Sequence, residues 1–509
     1  MKLEQLLEGL EYEYIDASGN VITDEALRKA AGETGITAIT NDSRKAEEGG
    51  LFFCIVGANS DGHDFADKAA EAGAAALIVQ RAPEFSQGVS APVLVRVADS
   101  RYAMAMISAA WFDHPAKKMK MIGVTGTKGK TTTTYLVKSI LEHAGISVGL
   151  IGTIESTWRE GGEEIHIPSA NTTPESLTLQ TLLDRMQKAG VAAVVMEVSS
   201  QALKLGRTAG IFYDLGVFTN ISPDHIGPNE HESFEEYLAC KGLLFRQCRT
   251  GIVNGDDPKV SAVLEGHTCK VSTFGLRPEN DLYADHLELV KKPGELGISF
   301  DTEGKVQLHA EVPTPGSFSV YNALCAVAIC LHFNVEPSVI ASALLQAKVK
   351  GRIEMVKVSD DFTLMIDYAH NAVALESLLT TLKEYHPHRL ITVFGCGGNR
   401  SKLRRFEMGE VSGRLSDFTI ITSDNPRFEE PEAIIADIVT GISKTYGEYI
   451  TITDRKEAIA YAIHHGEPGD IIVLAGKGHE DYQEIRGKKY PMDERVIIRE
   501  ILDADRGAV

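Results

Sequence analysis

Residues 121–134, MIGVTGTKGKTTTT, constrain the fold more than any other stretch. A short apolar run breaks into glycine and threonine, meets Lys130 and Thr131, and leads into a helix-compatible segment over 135–143. Strand, glycine loop and helix in that order cradle phosphates. Gly126 and Gly129 have no Cβ, so the backbone can turn sharply and aim N–H groups at an anion. The N-terminus of the following helix adds partial positive charge. Lys130 is placed to reach the terminal phosphates, and the Thr131 hydroxyl to ligate Mg²⁺. The common pattern G-x-x-x-x-G-K-[ST] would need glycine at 124, where Val124 stands; Gly123 comes one residue early. Glycine and threonine also make plain turns. The flanking strand and helix favour a nucleotide.

A chain of 509 residues predicts about three domains. Polar breaks place them at 1–115, 116–348 and 349–509, the first ending after His114-Pro115. The net charge of −20 argues against nucleic acid as a main partner. No apolar run is long enough for a membrane span, and the first residues lack the core of a signal peptide. Seven cysteines without C-x-x-C spacing read as buried thiols in a reducing compartment, so a cytoplasmic protein is expected.

The pattern is α/β throughout. The first domain reads as a small α/β unit. In the central domain, strands predicted at 121–124, 193–197, 215–219 and 251–254 alternate with helices, which implies a mostly parallel sheet. Residues 270–312 read as a β-rich insertion. The last domain repeats the plan, with strands at 363–366, 390–394, 418–421 and 471–474 in a Rossmann-like sheet. Each strand runs into a polar cluster: GTKGKT, EVSSQ, TNISPDH and NGDDP in the centre, then DYAH, GCGGNR, SDNPR and AGKGHE. Ligands of open α/β sheets bind outside the carboxyl ends of the strands.

Thr131, Glu197 and His225 at neighbouring strand ends can converge on Mg²⁺, although imidazole is an unusual ligand for it. Singly, Glu197 could cap the helix beginning at 199–200, and His225 could be a loop histidine bonded to backbone. Asp367 could accept from a ribose or cap the next helix. Asn-Pro in SDNPR is a turn former, but a turn does not explain Arg427, nor Arg400 and Glu480 at the adjacent ends. Two guanidiniums hold carboxylates and a carboxylate holds an ammonium, which suits a zwitterionic amino acid.

Taken together, DSR, VGxxxDG, GTxGKT, NTTP, EVSS, TN-x-S-x-DH, GR, DYAH, DNPR and GKGHEDYQ resemble the Mur ligases, ATP-dependent amide-forming enzymes of peptidoglycan synthesis. The likeness spans nearly the whole chain and is strongest to members that add a diamino acid to a UDP-linked muramyl dipeptide. It implies that Gly126, Thr127, Lys128, Gly129, Lys130 and Thr131 form the ATP phosphate loop, with Asn322, Arg352, Asp367 and His370 on the ATP side. It makes Thr131, Glu197 and His225 Mg²⁺ ligands or their supports. It puts at Lys241 a carbamylated lysine able to assist a second Mg²⁺, and makes Lys130, Lys241 and His225 catalytic. Ser43, Asn171, Thr172, Thr173, Ser199 and Arg207 resemble the positions that hold the UDP-sugar. Arg400, Asp424, Asn425, Arg427, Gly476 and Glu480 resemble the amino-acid pocket, with the first domain given to the UDP-sugar and the last to the amino acid. DNPR is the form associated with meso-diaminopimelate, whereas SPDHIGPNEH and DYAHNA look like lysine-adding relatives. Diaminopimelate is preferred, because DNPR and GKGHED should touch the amino acid itself. GTKGKT and EVSSQ depart from the usual GTNGKT and EVSSH.

The resemblance further implies a monomer with ATP as co-substrate, reaction through an acyl phosphate, and closure of the C-terminal domain over its substrates. The rival readings are the lysine-adding ligase, a folate-polyglutamylating ligase, a P-loop switch or transport ATPase, and a non-catalytic cell-wall scaffold.

Overall fold

The computed structural model describes residues 1–57, 60–224, 226–227 and 230–507. The chain forms two compact units, Met1–Thr134 with Ala144–Thr273, and Tyr135–His143 with Phe274–Val509.

The first unit holds two sheets. The N-terminal one runs Glu13–Ile15, Val93–Arg96, Ala76–Val79, Gly50–Phe53, Ala38–Thr40; the first pair is antiparallel and the others parallel. GLFF and ALIV are buried at every position, as strands covered on both faces must be. Apolar clusters accordingly lie on either side of them, around Leu51 and Ile78 and around Phe52 and Leu77.

The second sheet positions the phosphate loop. Lys120–Thr125 lies between Ala193–Glu197 and Tyr213–Phe218, parallel to both; Cys248–Asn254 and Val148–Ile151 extend the parallel core outwards. The hairpin Glu155–Glu160 with Glu163–Pro168 closes one side antiparallel. Val124 pairs with Glu197 and Val217, so it is a strand residue and the loop begins only at Gly126. The helix starts at Lys130, five residues before the expected 135. The threonine run shows no apolar period, but its backbone is already helical.

In the second unit, Leu282–Lys292, Glu295–Gly304 and Leu308–Val312 form an antiparallel meander, with Pro293-Gly294 at its first turn. The C-terminal sheet has the order Glu354–Val356, Thr363–Asp367, Ile471–Ala475, Leu390–Phe394, Phe418–Ile421, Glu448–Thr451, parallel except at the first pair. Ile471–Ala475, last of these strands along the chain, lies between two that precede it in sequence, so the carboxyl ends of three parallel strands meet at a topological switch. Cores fill both faces of this sheet. Among the described residues, no helix is long and apolar enough to cross a membrane. All seven cysteines are free thiols; six are buried and Cys269 is half-buried.

Candidate functional site

The phosphate loop is held from the neighbouring strand end. Thr219 Oγ1 and Asn220 Nδ2 donate to the Lys128 carbonyl at 2.7 and 3.0 Å, while Lys128 N donates to Asn220 Oδ1 at 2.9 Å. Thr127 N donates to Asn220 O at 2.8 Å, and Thr127 Oγ1 lies 3.0 Å from the Tyr237 hydroxyl. A Cβ on Gly126 would come 1.9 Å from Thr219 Oγ1, so only glycine allows this approach. Lys130 Nζ donates to the Gly126 and Thr127 carbonyls at 2.8 and 3.1 Å. Lys241 is buried with its Nζ 3.0 Å from Gly126 O and 4.4 Å above the Tyr237 ring. Burial, then the charge of Lys130, holds the Lys241 amine well below the usual lysine range. A larger share of neutral amine follows, and that is the form able to add carbon dioxide.

Glu197 is buried and does not cap the following helix; Ser199 does, accepting from Ala202 N. The Glu197 carboxylate instead accepts from Thr131 Oγ1 at 3.0 Å, Thr153 N at 2.8 Å and Thr153 Oγ1 at 3.0 Å. Thr131 and Glu197 thus come together at the head of the helix. This hydroxyl–carboxylate pair is an all-oxygen donor set of the kind hard divalent cations take. His225 lies outside the described residues.

The NTTP segment packs beside this pair. Thr172 Oγ1 is 3.1 Å from Thr153 Oγ1, Thr173 Oγ1 donates to Glu197 O, and Ser199 N donates to Thr173 Oγ1. Arg207 reaches the Thr173 carbonyl at 3.2 Å and Glu175 at 2.6 Å, and Arg101 approaches the other Glu175 oxygen at 3.6 Å. Thr172, Thr173, Ser199 and Arg207 are therefore gathered. Asn171 is exposed and Ser43 sits on a short turn beyond the edge strand Ala38–Thr40; no hydrogen bond among the described residues ties either to that group. A cavity of about 210 Å³ opens beside the loop, lined in part by Lys130, Ser199, Tyr237 and Lys241. Thr153, Glu175 and Tyr237 escape sequence reading: Thr153 follows the end of Val148–Ile151, a strand not expected from the sequence, and contacts alone reveal the other two.

The second unit carries two clusters at the switch. In the first, Asp367 accepts from Ile353 N and Ala369 N at 2.9 and 2.8 Å; the cap of the next helix is Asn371. Desolvation raises the Asp367 pKa against the pull of Arg352. Arg352 lies 4.9 Å over the Tyr368 ring, which also packs on His370 and His479. Burial lowers His479 to about 4, leaving a neutral ring. Asn322, buried in the helix Ser317–Leu331, makes no hydrogen bond to this cluster.

In the second cluster, Arg427 donates from Nε to Glu484 at 3.1 Å and from Nη1 to Gly398 O at 2.8 Å. A Cβ on Gly397 would meet Arg427 Nη1 at 2.9 Å and Arg400 Cγ at 3.8 Å, so both arginines border this bare backbone. Asn425 Nδ2 donates to Glu480 at 2.9 Å. Buried Lys477 donates to Asn425 Oδ1 and Glu480 Oε2, both at 2.9 Å. A Cβ on Gly476 would stand 3.1 Å from Asp424 Oδ2. Arg455 ties the two strand ends from below, donating to Ser423 O, Ala475 O and Glu494 at 3.3, 2.9 and 2.8 Å. Neither Lys477 nor Arg455 is legible as a buried cation without the fold. Arg455→Met strands a buried Glu494 carboxylate, and chemical denaturation is expected to register a loss of about 3 kcal/mol.

Comparison with known proteins decides the family. The Mur ligase family catalytic domain matches residues 35–113, the Mur ligase middle domain 124–330, and the glutamate ligase domain 351–478. A 2,6-diaminopimelate ligase of Clostridium acetobutylicum, UDP-N-acetylmuramoyl-L-alanyl-D-glutamate--2,6-diaminopimelate ligase 1, is 41% identical over 99% of both chains. The chain belongs to the Mur ligase family. A like-named Mur ligase of Caldanaerobacter subterraneus subsp. tengcongensis is also 41% identical, over 99% of each chain. A solved UDP-N-acetylmuramoyl-L-alanyl-D-glutamate--2,6-diaminopimelate ligase superposes with TM-score 0.69 at 27% identity, covering 99% of both chains. The Thermotoga maritima MurF ligase in complex with ADP shares the fold, with TM-score 0.58 at 19% identity over 93% of this chain and 99% of that one.

Proposed function

We propose that this protein is an ATP-dependent ligase that joins meso-diaminopimelate to UDP-N-acetylmuramoyl-L-alanyl-D-glutamate in peptidoglycan synthesis. The full-length identity of 41% to relatives named for that reaction supports the reaction class. The observation that carries the choice of amino acid is the placing of Arg427 and Arg400 about Gly397, in the same loop cluster as Asn425 and Glu480. A diamino acid with a second carboxylate rewards a guanidinium fork; lysine leaves it unmatched.

The phosphate loop, with Lys130, would bind the ATP phosphates, and Thr131 with Glu197 would hold Mg²⁺, joined by His225 and a carbamylated Lys241. Mg²⁺, when bound, neutralises phosphate charge. The D-glutamate side-chain carboxylate attacks the γ-phosphorus, giving an acyl phosphate and ADP. The diaminopimelate amine then attacks the acyl carbon, and phosphate leaves. Lys130 stabilises charge developing on the transferred group. Thr172, Thr173, Ser199 and Arg207 would orient the muramyl substrate in the first unit. Arg352 and Asp367 would serve the nucleotide in the second. A reaction that consumes ATP fits a cytoplasmic enzyme, and the steps would be carried out within one chain.

Phosphate release measured with meso-diaminopimelate, L-lysine and L-ornithine in turn, each with ATP and the muramyl dipeptide, tests the reading. Diaminopimelate is expected to lead by about a hundredfold in kcat/KM. Equal or faster turnover with lysine would assign the protein to the lysine-adding branch, as its SPDHIGPNEH and DYAHNA segments favour.

A further inference from the structure

We propose that His231, Glu236 and Cys240 form a binding site for one thiophilic divalent cation of the zinc class, distinct from the oxygen-ligand pair Thr131 and Glu197. The local sequence builds it. Ser233 caps the helix Phe234–Gly242, accepting from Glu236 N, and Glu236 and Cys240 stand four residues apart on one face of that helix. His231, on the arm just before the cap, is fastened by a bond between its Nε2 and Ser200 Oγ at 2.8 Å. Its Nδ1 faces Glu236 Oε2 at 3.6 Å. The imidazole, carboxylate and thiol ligand atoms all lie within 4.8 Å of one another.

Zinc bonds of 2.0–2.3 Å in a tetrahedron set ligand atoms about 3.3–3.8 Å apart. The observed spread closes to this by rotation of the half-buried Glu236 side chain toward the buried His231 and Cys240, at the cost of one of the two contacts that hold its carboxylate. The Ser200 hydroxyl is the outer partner that fixes a metal-binding imidazole. Lys204, 2.8 Å from Glu236 Oε1, and Glu232 N, 2.8 Å from Oε2, orient the carboxylate. On binding, the Cys240 S–H bond breaks, a metal–sulfur bond forms, and the proton passes to solvent. Thiolate and carboxylate then face the dication, with the Lys204 ammonium in the outer shell of the carboxylate, and water completes the tetrahedron. A thiol is a poor ligand for Mg²⁺, so the donor set sorts the two ions. The ion would staple the His231 arm to the helix that carries Tyr237 and Lys241, both of which touch the phosphate loop.

The test titrates the full-length, metal-stripped protein with Zn²⁺ by calorimetry in excess Mg²⁺, so that hard-cation sites are filled. Co²⁺ then serves as a spectroscopic probe. The expected result is one tight equivalent of Zn²⁺ and a thiolate-to-Co²⁺ charge-transfer band. Cys240→Ala and the nearly isosteric Cys240→Ser should each abolish the band and weaken Zn²⁺ binding about a hundredfold or more, Ser200→Ala about tenfold. Cys269→Ser, at the half-buried thiol, should change neither. Absence of tight Zn²⁺ binding by the native protein overturns the site, as does a band that survives in both Cys240 variants or disappears with Cys269→Ser.

Discussion

Replacing Lys130 with Ala is expected to lower kcat/KM for ATP-dependent ligation about a thousandfold, about 4 kcal/mol of lost transition-state stabilisation. The side chain starts the helix Lys130–His143, and its ammonium curls onto the Gly126 and Thr127 carbonyls. Those bonds keep it poised over the loop whose N–H groups would face the phosphates. Beside these two bonds the loop is held by three more with Thr219 and Asn220, which do not involve Lys130, so the fold should survive. An unfolding free energy within about 1 kcal/mol of the native value is expected, as for partly exposed substitutions. The loss should appear in kcat, because negative charge on the transferred phosphoryl group peaks in the transition state. Lys130→Arg supplies a cation of the wrong shape and should recover little. Activity within tenfold of the native enzyme, in a correctly folded Lys130→Ala variant, would remove Lys130 from the chemistry.

The strand ends were legible because their chemistry is written next to their hydrophobicity. AVVME is buried throughout and ends on Glu197, and TLMID ends on Asp367, so pattern and function share the same few letters. What both carboxylates do was less legible. Each stands just before a helix, where capping is the ordinary expectation. Ser199 and Asn371 take the caps instead, because their side chains sit at the turn where the helical N–H groups are exposed. Lys128 illustrates the converse. It departs from the usual asparagine in the loop, yet the clamp from Asn220 and Thr219 grips only its backbone, while its side chain is exposed; this geometry asks for a backbone N–H there and makes no demand on the side chain.

Lys477 and Arg455 mark the limit of reading along a chain. Each is a cation in a polar motif, and nothing in its neighbours says that it is buried. Glu480 is close to Lys477 in sequence, but the other named partners of Lys477 and Arg455 come from segments 20 to 52 residues away, which the fold brings together. The positions that stand apart, Ser43, Asn171 and Asn322, rest on family likeness alone. Among the described residues, no hydrogen bond joins Ser43 or Asn171 to the Thr172–Arg207 group or Asn322 to the Arg352 cluster.

Arg427→Ala should separate the two diamino acids most sharply. Two of the five guanidinium N–H groups are spent on Glu484 and Gly398 O, which fixes the plane of the fork beside Gly397. A carboxylate on the amino-acid side chain would meet it bidentately; the ammonium of lysine gains nothing there. The expected loss is about a thousandfold in kcat/KM for meso-diaminopimelate, carried mainly by KM, against about tenfold or less for lysine, so that selectivity collapses. Arg427 also holds backbone at a positive φ of 52°, and its N–H and carbonyl bond to Glu484 and Arg486, so truncation can loosen the loop. Arg427→Lys controls for this. It keeps the charge and the chain length but not the fork, and should still lose most of the preference while the folding transition stays at its native midpoint. Equal losses for both amino acids in Arg427→Lys would make Arg427 a support of the loop rather than the reader of the second carboxylate.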